Sequence, residues 1–191
     1  MAWTALLDAC VLYPTSTRDL LLRGAEHYLY QVRWSAEILA ELRRILLETA
    51  RVSADQADSL IENMTAAFPE AAVEGYAGLV AQMPNDPGDR HVLAAAVVGQ
   101  VDVIVTDNIR HFPEGACETF GIEVQTPDEF LSYAFDLAPD TVAGLFLRQV
   151  TEFQRPSFAL SEALETLCRR LPNLGARLTN SPDVHRALAG S

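Results

Sequence analysis

Hydrophobic residues fall into short continuous runs that alternate with stretches of helical periodicity. Three runs, residues 3–8, 101–107 ("VDVIVTD") and 122–125 ("IEVQ"), have the length and apolar character of buried strands. Between them, "SAEILAELRRILLETA" carries an apolar stripe at helical spacing, and "DPGDRHVLAAAVVGQ" begins another helix. Strands that alternate with helices predict a three-layer α/β domain built on a parallel sheet.

Capping residues mark the starts of several predicted helices. Ser35 precedes the first apolar stripe, and Ser53 with Gln56 forms a capping-box pattern before the next helix. Asp86 and Thr126 are each followed by proline, which suits the first position of a helix. Residues 70–85 fit either a loop or a short helix.

The alternation of strands and helices ends near residue 134. Beyond the break "DLAPD", the pattern is helical only, over residues 139–154, 161–171 and 182–189. The segments "RPSFALS" and "LPNLGARLTNSP" separate these helices. We therefore predict an α/β domain over residues 1–135 and a helical C-terminal extension over residues 136–191.

Charge bears on the class of partner. The net charge of −12 counts against broad, sequence-independent nucleic-acid binding, which depends on positive side chains that neutralise phosphates. All 14 basic residues are arginine, and six of them lie in the first 51 residues. Arginine favours bidentate phosphate contacts, so a local basic rim on an acidic protein is compatible with the composition.

Composition also indicates the compartment. No apolar run reaches the roughly 18 to 20 residues needed to span a bilayer, and no basic segment precedes the first apolar stretch. These features predict a cytoplasmic protein without a membrane segment. The three cysteines are far apart and form no CxxC pair, which predicts free thiols rather than disulfides or a zinc site.

Four carboxylates occupy positions that the predicted sheet brings to one edge. Asp8 and Asp107 each follow an apolar strand, and ligands bind outside the carboxyl ends of parallel strands. Asp89 falls in the first turn of the helix before the second strand, where a helix start favours negative charge. Glu41 lies at the border of the apolar stripe of its helix, from which its side chain can reach a cleft.

Three of these acids also have ordinary structural interpretations. Asp89 is suited to capping a helix, Glu41 could be a solvated residue paired with a neighbouring arginine, and Asp107 could begin a turn. Asp8 is the hardest to explain in this way, because it lies inside the apolar stretch "LLDACVLYP" and an unpaired charge is costly to bury.

Several carboxylates at one site cannot all ionise without a cation between them. Oxygen ligands suit Mg²⁺ or Mn²⁺ rather than zinc. Such a site is suited to phosphoryl chemistry, in which a metal ion activates water and neutralises the scissile phosphate. Within "TDNIRHFP", Arg110 and His111 lie beside the predicted site, where a functional and a purely structural role are equally open.

Three segments together, "LLDACVLYP", "SAEILAELRRIL" and "DPGDRHVLAAAVVGQVDVIVTDNIRHFP", resemble PIN-domain nucleases of the VapC toxin type. The resemblance covers residues 3 to about 134, and the tail resembles a helical extension carried by one subgroup of these toxins. It implies an acidic set of Asp8, Glu41, Asp89 and a fourth position in "TDN". Such proteins commonly carry the fourth acid two residues after the threonine. That position is Asn108 here, whereas Asp107 comes one residue earlier.

The resemblance implies Mg²⁺- or Mn²⁺-dependent cleavage of RNA, inhibition by a separate protein antitoxin, and a homodimer. The site residues expected from the residues and the resemblance together are Asp8, Glu41, Asp89 and Asp107 for catalysis, Asp8, Asp89, Asp107 and Asn108 for the metal, and Thr106 and Arg110 for substrate. Two other functions remain open: a non-catalytic PIN-like interaction module and a structure-specific DNA nuclease of the same fold.

Overall fold

The computed structural model describes residues 3–49, 52–152 and 160–189. Within these ranges the strands are Thr4–Leu7 (β1), Gln31–Ser35 (β2), Ala72–Val73 (β3), Val103–Val105 (β4) and Glu123–Gln125 (β5). The α-helices are Ala9–Leu12 (α1), Thr15–Glu26 (α2), Ala36–Glu48 (α3), Ala54–Ala67 (α4), Arg90–Val98 (α5), Glu114–Glu118 (α6), Pro127–Leu137 (α7), Pro139–Glu152 (α8), Leu160–Arg170 (α9), Pro172–Thr179 (α10) and Pro182–Ala189 (α11). Two 3₁₀ helices, Ala77–Gln82 and Ile109–His111, lie between these elements.

The strands form one parallel sheet in the order β3-β2-β1-β4-β5. The central strand β1 pairs with β2 on one side and β4 on the other, with Leu6 opposite Arg33 and Ile104. Strands β2 and β3 lie on one side of β1, and β4 and β5 lie on the other. The strand order therefore reverses beside β1, and ligands of α/β sheets bind at such a switch point. This arrangement confirms the predicted α/β class and makes the strands that precede Asp8 and Asp107 neighbours.

The chain forms two compact units. The first comprises Met1–Pro14 and Tyr30–Gln125 and contains the sheet; the second comprises Thr15–Leu29 and Thr126–Ser191 and is helical. In the first unit, buried side chains of β1, β4, α3 and α5 form the core, which explains the apolar runs and stripes in the sequence. The predicted boundary at residue 135 stays a prediction.

Helices α7 to α11 and α2 build the second unit, in which α7 packs against α8 and α10, and α10 packs against α9. The buried Asp128 carboxylate ties α7 to α10, because it accepts hydrogen bonds from the backbone N–H groups of Asn173 (3.0 Å) and Leu174 (2.9 Å). Gln149 on α8 donates to the Ser16 carbonyl at 2.8 Å, which attaches α8 to α2.

Three of the predicted helix caps are confirmed. Ser35 accepts the Ile38 N–H, and complete capping boxes form at Ser53 and Thr126. The expectation that Asp86 caps the helix before β4 is wrong: α5 begins at Arg90, and the Asp86 carboxylate instead accepts the Gly88 N–H at 2.9 Å.

Several elements differ from the sequence-based expectation. Strands β2 and β3, the short helices α1 and α6 and the 3₁₀ helix Ile109–His111 were not predicted, and α10 occupies the segment "LPNLGARLTNSP", which was predicted to separate helices. Part of the predicted helix 139–154 lies outside the described residues, as does most of "RPSFALS". In the described part of the chain, none of the helices combines the length and the apolar character needed to cross a membrane.

Candidate metal centre at the carboxyl edge of the sheet

The buried Asp8 carboxylate accepts hydrogen bonds from residues that follow β1 and from a residue that follows β4. Its backbone N–H donates to the Val105 carbonyl at 3.1 Å, which continues the pairing of β1 with β4 past the end of β1. Its Oδ1 accepts the Ala9 N–H at 2.6 Å, and its Oδ2 accepts the Thr106 hydroxyl at 2.6 Å. Only 3% of Asp8 is exposed. The side chain is therefore fixed in one orientation at the carboxyl edge of the sheet.

Thr106 is fully buried and lies between Asp8 and the turn after β4. Its hydroxyl donates to Asp8 and accepts the backbone N–H of Asn108 at 3.0 Å. Thr106 therefore orients the Asp8 carboxylate and the backbone of the turn, and its assignment as a substrate contact stays a prediction.

Cys10 completes the same network. Its thiol donates to Asp8 Oδ2 at 3.2 Å, and its sulfur accepts the Asp107 N–H at 3.3 Å. Burial raises the pKa of this thiol to about 12, and the negative charge of Asp8 adds to the rise. Cys10 therefore stays a neutral thiol at physiological pH. All three cysteines are free, as predicted.

Asp107 and Asn108 form the turn that follows β4. Asp107 is exposed and Asn108 is half-buried. The hydrogen bonds to Cys10 and Thr106 place the backbone of both residues next to Asp8. Their assignment as metal ligands, and the choice between them for the fourth position, stay predictions.

Asp89 stands at the N-cap position of α5, but its side chain caps no N–H group of that helix. Its Oδ2 instead lies 2.6 Å from Nδ1 of His111. Ligand atoms of Asp86, Asp89 and His111 all lie within 4.8 Å of one another, so these three side chains could share a metal ion. The interpretation of Asp89 as a simple helix cap does not describe its contacts.

Glu41 projects from α3 toward the same acids. Burial raises the pKa of Glu41, and the negative charges of Asp8 and Asp89 raise it further, whereas His91 lowers it. Oε2 of Glu41 lies 3.6 Å from Nε2 of His91. Glu41 therefore lies within electrostatic range of both Asp8 and Asp89, although the three residues come from different parts of the chain.

The arginines near Glu41 on α3 have other partners. Arg43 pairs with Asp58 through two hydrogen bonds of 2.5 and 3.0 Å, and Arg44 pairs with Glu48. Glu41 forms its ion contact with His91, and Arg44 has the smallest electrostatic effect on its pKa, so neither arginine is its main partner. A groove of about 440 Å³ lies beside Glu41 and is lined by α3, the loop before α5 and the first 3₁₀ helix.

We expect Glu41→Gln to stabilise the metal-free protein at neutral pH. Because the folded-state pKa of Glu41 is raised, the folded protein holds this proton more tightly than the unfolded chain does. Ionised Glu41 therefore destabilises the fold above that pKa, and the variant removes this effect. Urea unfolding in EDTA should show a gain at pH 7.5 that shrinks progressively as the pH is lowered toward 4.

Glu37→Gln, one turn earlier on α3 and exposed, is the matched control and should leave stability nearly unchanged. Equal gains for the two variants, or a loss of stability for Glu41→Gln at pH 7.5, would contradict the close approach of the three carboxylates.

The donor set fits a hard divalent cation. The converging side chains present carboxylate oxygens, the ligands that Mg²⁺ and Mn²⁺ prefer, and their mutual repulsion is relieved by a positive charge between them. Each carboxylate keeps lone pairs beyond those used in its hydrogen bonds. Asp8, Glu41 and Asp89 are the residues that could hold such an ion.

The sequence predicts these three acids at one site but not their supports. No role at the site was predicted for His91, which faces Glu41, for the thiol of Cys10, or for Asp86, which was expected only to cap a helix. The spacing of His91, two residues after Asp89, was the available signal. Arg110 is exposed beside His111, and its role as a substrate contact stays a prediction.

The class of this protein is defined by a parallel α/β domain in which one acid follows β1, one lies on α3 and one precedes α5. Family comparison agrees: the PIN domain model matches residues 4–110, and the chain belongs to that family. The VapC50 C-terminal domain model matches residues 127–180. These matches confirm the resemblance to VapC-type PIN proteins with a helical C-terminal extension.

A curated relative from Mycobacterium tuberculosis (strain ATCC 25618 / H37Rv) is named "Putative ribonuclease VapC50" and is 38% identical over 103 residues. The match covers 54% of this chain and 61% of the relative, so it spans less than two thirds of that protein's length. No solved structure matches the chain significantly.

Proposed function

We propose that this protein is a metal-dependent endoribonuclease and the toxin of a VapBC-type toxin–antitoxin pair. The observation that carries the proposal is that Glu41 lies within electrostatic range of Asp8 and Asp89 at the carboxyl edge of a PIN-family sheet. The name of the Mycobacterium tuberculosis relative supports ribonuclease activity. Mg²⁺ or Mn²⁺ is the cofactor that this oxygen-rich set fits.

When bound, the divalent ion would supply a positive charge that polarises water and the scissile phosphate. The chain's own residues prepare the site for it. Asp8 is held rigidly by Ala9, Thr106 and Cys10, so its orientation needs no reorganisation during the reaction. The raised pKa of Glu41 suits it to accept a proton from attacking water.

The substrate and partners follow from the same proposal. Arg110 is exposed at the edge of the site and supplies positive charge for an RNA phosphate on an otherwise acidic protein. Asp107 or Asn108 would complete the ligand set. A protein antitoxin, a homodimeric assembly and a cytoplasmic site of action belong to the proposal as properties of VapC-type toxins.

The test is cleavage of a single-stranded RNA and a DNA of the same sequence by the purified chain. We expect cleavage of the RNA within its length in Mn²⁺ or Mg²⁺, none in EDTA, and little cleavage of the DNA. Failure both to cleave RNA and to bind Mn²⁺ would identify a non-catalytic module. Equal cleavage of the DNA would identify a nuclease of different substrate class. Either result would overturn the proposal.

A further inference from the structure

We infer that His111 is a positioning residue for the proposed nuclease: its Nδ1–H holds the Asp89 carboxylate in the orientation that binds the cation. The inference rests on the proposed function. It assigns to the second 3₁₀ helix a role at the metal centre, in addition to linking β4 with the rest of the domain.

The contact between the two side chains is short and sheltered. His111 Nδ1 and Asp89 Oδ2 are 2.6 Å apart, and the two side chains are 29% and 15% exposed. A hydrogen bond to an ionised carboxylate is about twice as strong as one between neutral groups. Because the side chain of Asp89 caps no N–H group of α5, this bond is what orients it among the described residues.

The hydrogen-bond network assigns the proton of His111 to Nδ1. An ionised carboxylate only accepts hydrogen bonds, so Nδ1 is the donor to Asp89. On the other side of the ring, Nε2 lies 3.3 Å from Nε of Arg110, which can only donate. The neutral ring with its proton on Nδ1 satisfies both contacts and connects Arg110 to Asp89.

The backbone holds His111 in place for this task. Its N–H donates to the Asn108 carbonyl at 2.9 Å, and its carbonyl accepts the Asp86 N–H at 3.1 Å. The segment after β4 is thereby joined both to the "TDN" turn and to the loop before α5. One histidine thus links the two chain segments that carry Asp89 and the fourth ligand position.

A positioning role predicts a specific pattern of rescue. The amide N–H of asparagine branches from the backbone at about the place of Nδ1, whereas that of glutamine lies nearer to the place of Nε2. His111→Asn should therefore retain the bond to Asp89, and His111→Gln and His111→Ala should lose it. Loss of such a supporting contact typically weakens metal affinity about 10- to 100-fold.

The experiment measures Mn²⁺ binding to the full chain by titration calorimetry, with RNA cleavage as a second readout. We expect His111→Ala and His111→Gln to weaken Mn²⁺ binding at least about tenfold, and His111→Asn to stay close to wild type. His185→Ala, at an exposed histidine of α11, is the control and should bind Mn²⁺ as wild type does. Thermal melts in EDTA establish that each variant is folded.

Distinct results would overturn the inference. Wild-type affinity in His111→Ala would show that Asp89 needs no support. Equal weakening in His111→Asn and His111→Ala would show that the imidazole ring itself acts, for example as a ligand together with Asp86. In both cases the nuclease proposal stands, whereas a wild-type chain that neither binds Mn²⁺ nor cleaves RNA overturns the proposed function itself.

Discussion

Asp8→Asn is expected to reduce RNA cleavage at least about 100-fold, on the scale of removing one electrostatic contact from an active site. Both carboxylate oxygens of Asp8 accept hydrogen bonds, from Ala9 on one side and from Thr106 and Cys10 on the other. Whichever way the new amide turns, its NH₂ group faces one of these donors. The variant also loses a negative charge that the cation requires.

Asp8→Asn should also change the free energy of unfolding of the metal-free protein in EDTA, through two opposing effects. A buried donor left without an acceptor costs about 1–3 kcal/mol, while removal of one of three repelling charges offsets part of that cost. Measurements of cleavage rate, Mn²⁺ affinity and thermal midpoint on one preparation separate the two effects. We expect activity and Mn²⁺ binding to be lost even where the fold persists.

Asp102→Asn is the matched control for this variant. Asp102 also lies at an edge of the sheet and accepts a backbone hydrogen bond, from the Thr4 N–H at 2.8 Å. It precedes β4 rather than following a strand, so it lies at the opposite edge from Asp8. Full activity in Asp8→Asn, or an equal loss in Asp102→Asn, would remove Asp8 from the metal centre.

Gly175→Ala is expected to destabilise the helical unit by about 1–3 kcal/mol, the usual cost of overpacking. A Cβ on Gly175 would lie 2.5 Å from the sulfur of Cys168 and 2.8 Å from its Cα. The sulfur can rotate away but the Cα cannot, so helices α9 and α10 would have to separate. Gly175 permits this close approach of the two helices.

Gly144→Ala provides the matched control with the opposite sign. Gly144 lies within α8, and no atom comes within 4 Å of a Cβ built there. Alanine is favoured over glycine in a helix by about 0.5–1 kcal/mol, so this variant should be more stable than wild type. Urea unfolding followed by circular dichroism compares the two. A stabilising Gly175→Ala would contradict the packing of α9 on α10.

The elements found from sequence are those whose signal is local. Strands β1 and β4 are apolar runs, β5 follows the apolar Ile122, and α3, α4 and α7 carry their own capping residues. Strand β2, "QVRWS", alternates polar and apolar residues, which is a strand signal that was overlooked beside the apolar runs. Strand β3 has two residues, too few to show a period.

Helix α10 was not predicted for a different reason. Its N-cap residue, Leu171, provides no side-chain cap. The first N–H groups of the helix are satisfied by Asp128, which is 45 residues away from Asn173 in the chain. A helix that is capped from another helix lacks a capping residue of its own, and the proline at the first position of α10 was the local signal that remained.

In the candidate site, too, the local features could be predicted and the long-range contacts could not. The position of Asp8 and Asp89 at the carboxyl edge could be predicted, because one acid follows a buried strand and the other stands at a helix start. The supports were not predictable. The bond of Thr106 to Asp8 depends on the register of β1 with β4, and that of His111 to Asp89 depends on an unpredicted 3₁₀ helix.

Direct location of Mn²⁺ tests the central claim, that these acids form a metal centre. In crystals of the wild-type chain soaked in Mn²⁺, anomalous scattering should place the ion in direct contact with Asp8 and Asp89, close to Glu41. The same map would identify Asp107 or Asn108 as the remaining ligand. An ion bound only by Asp86 and His111, or none at the carboxyl edge of the sheet, would contradict the account.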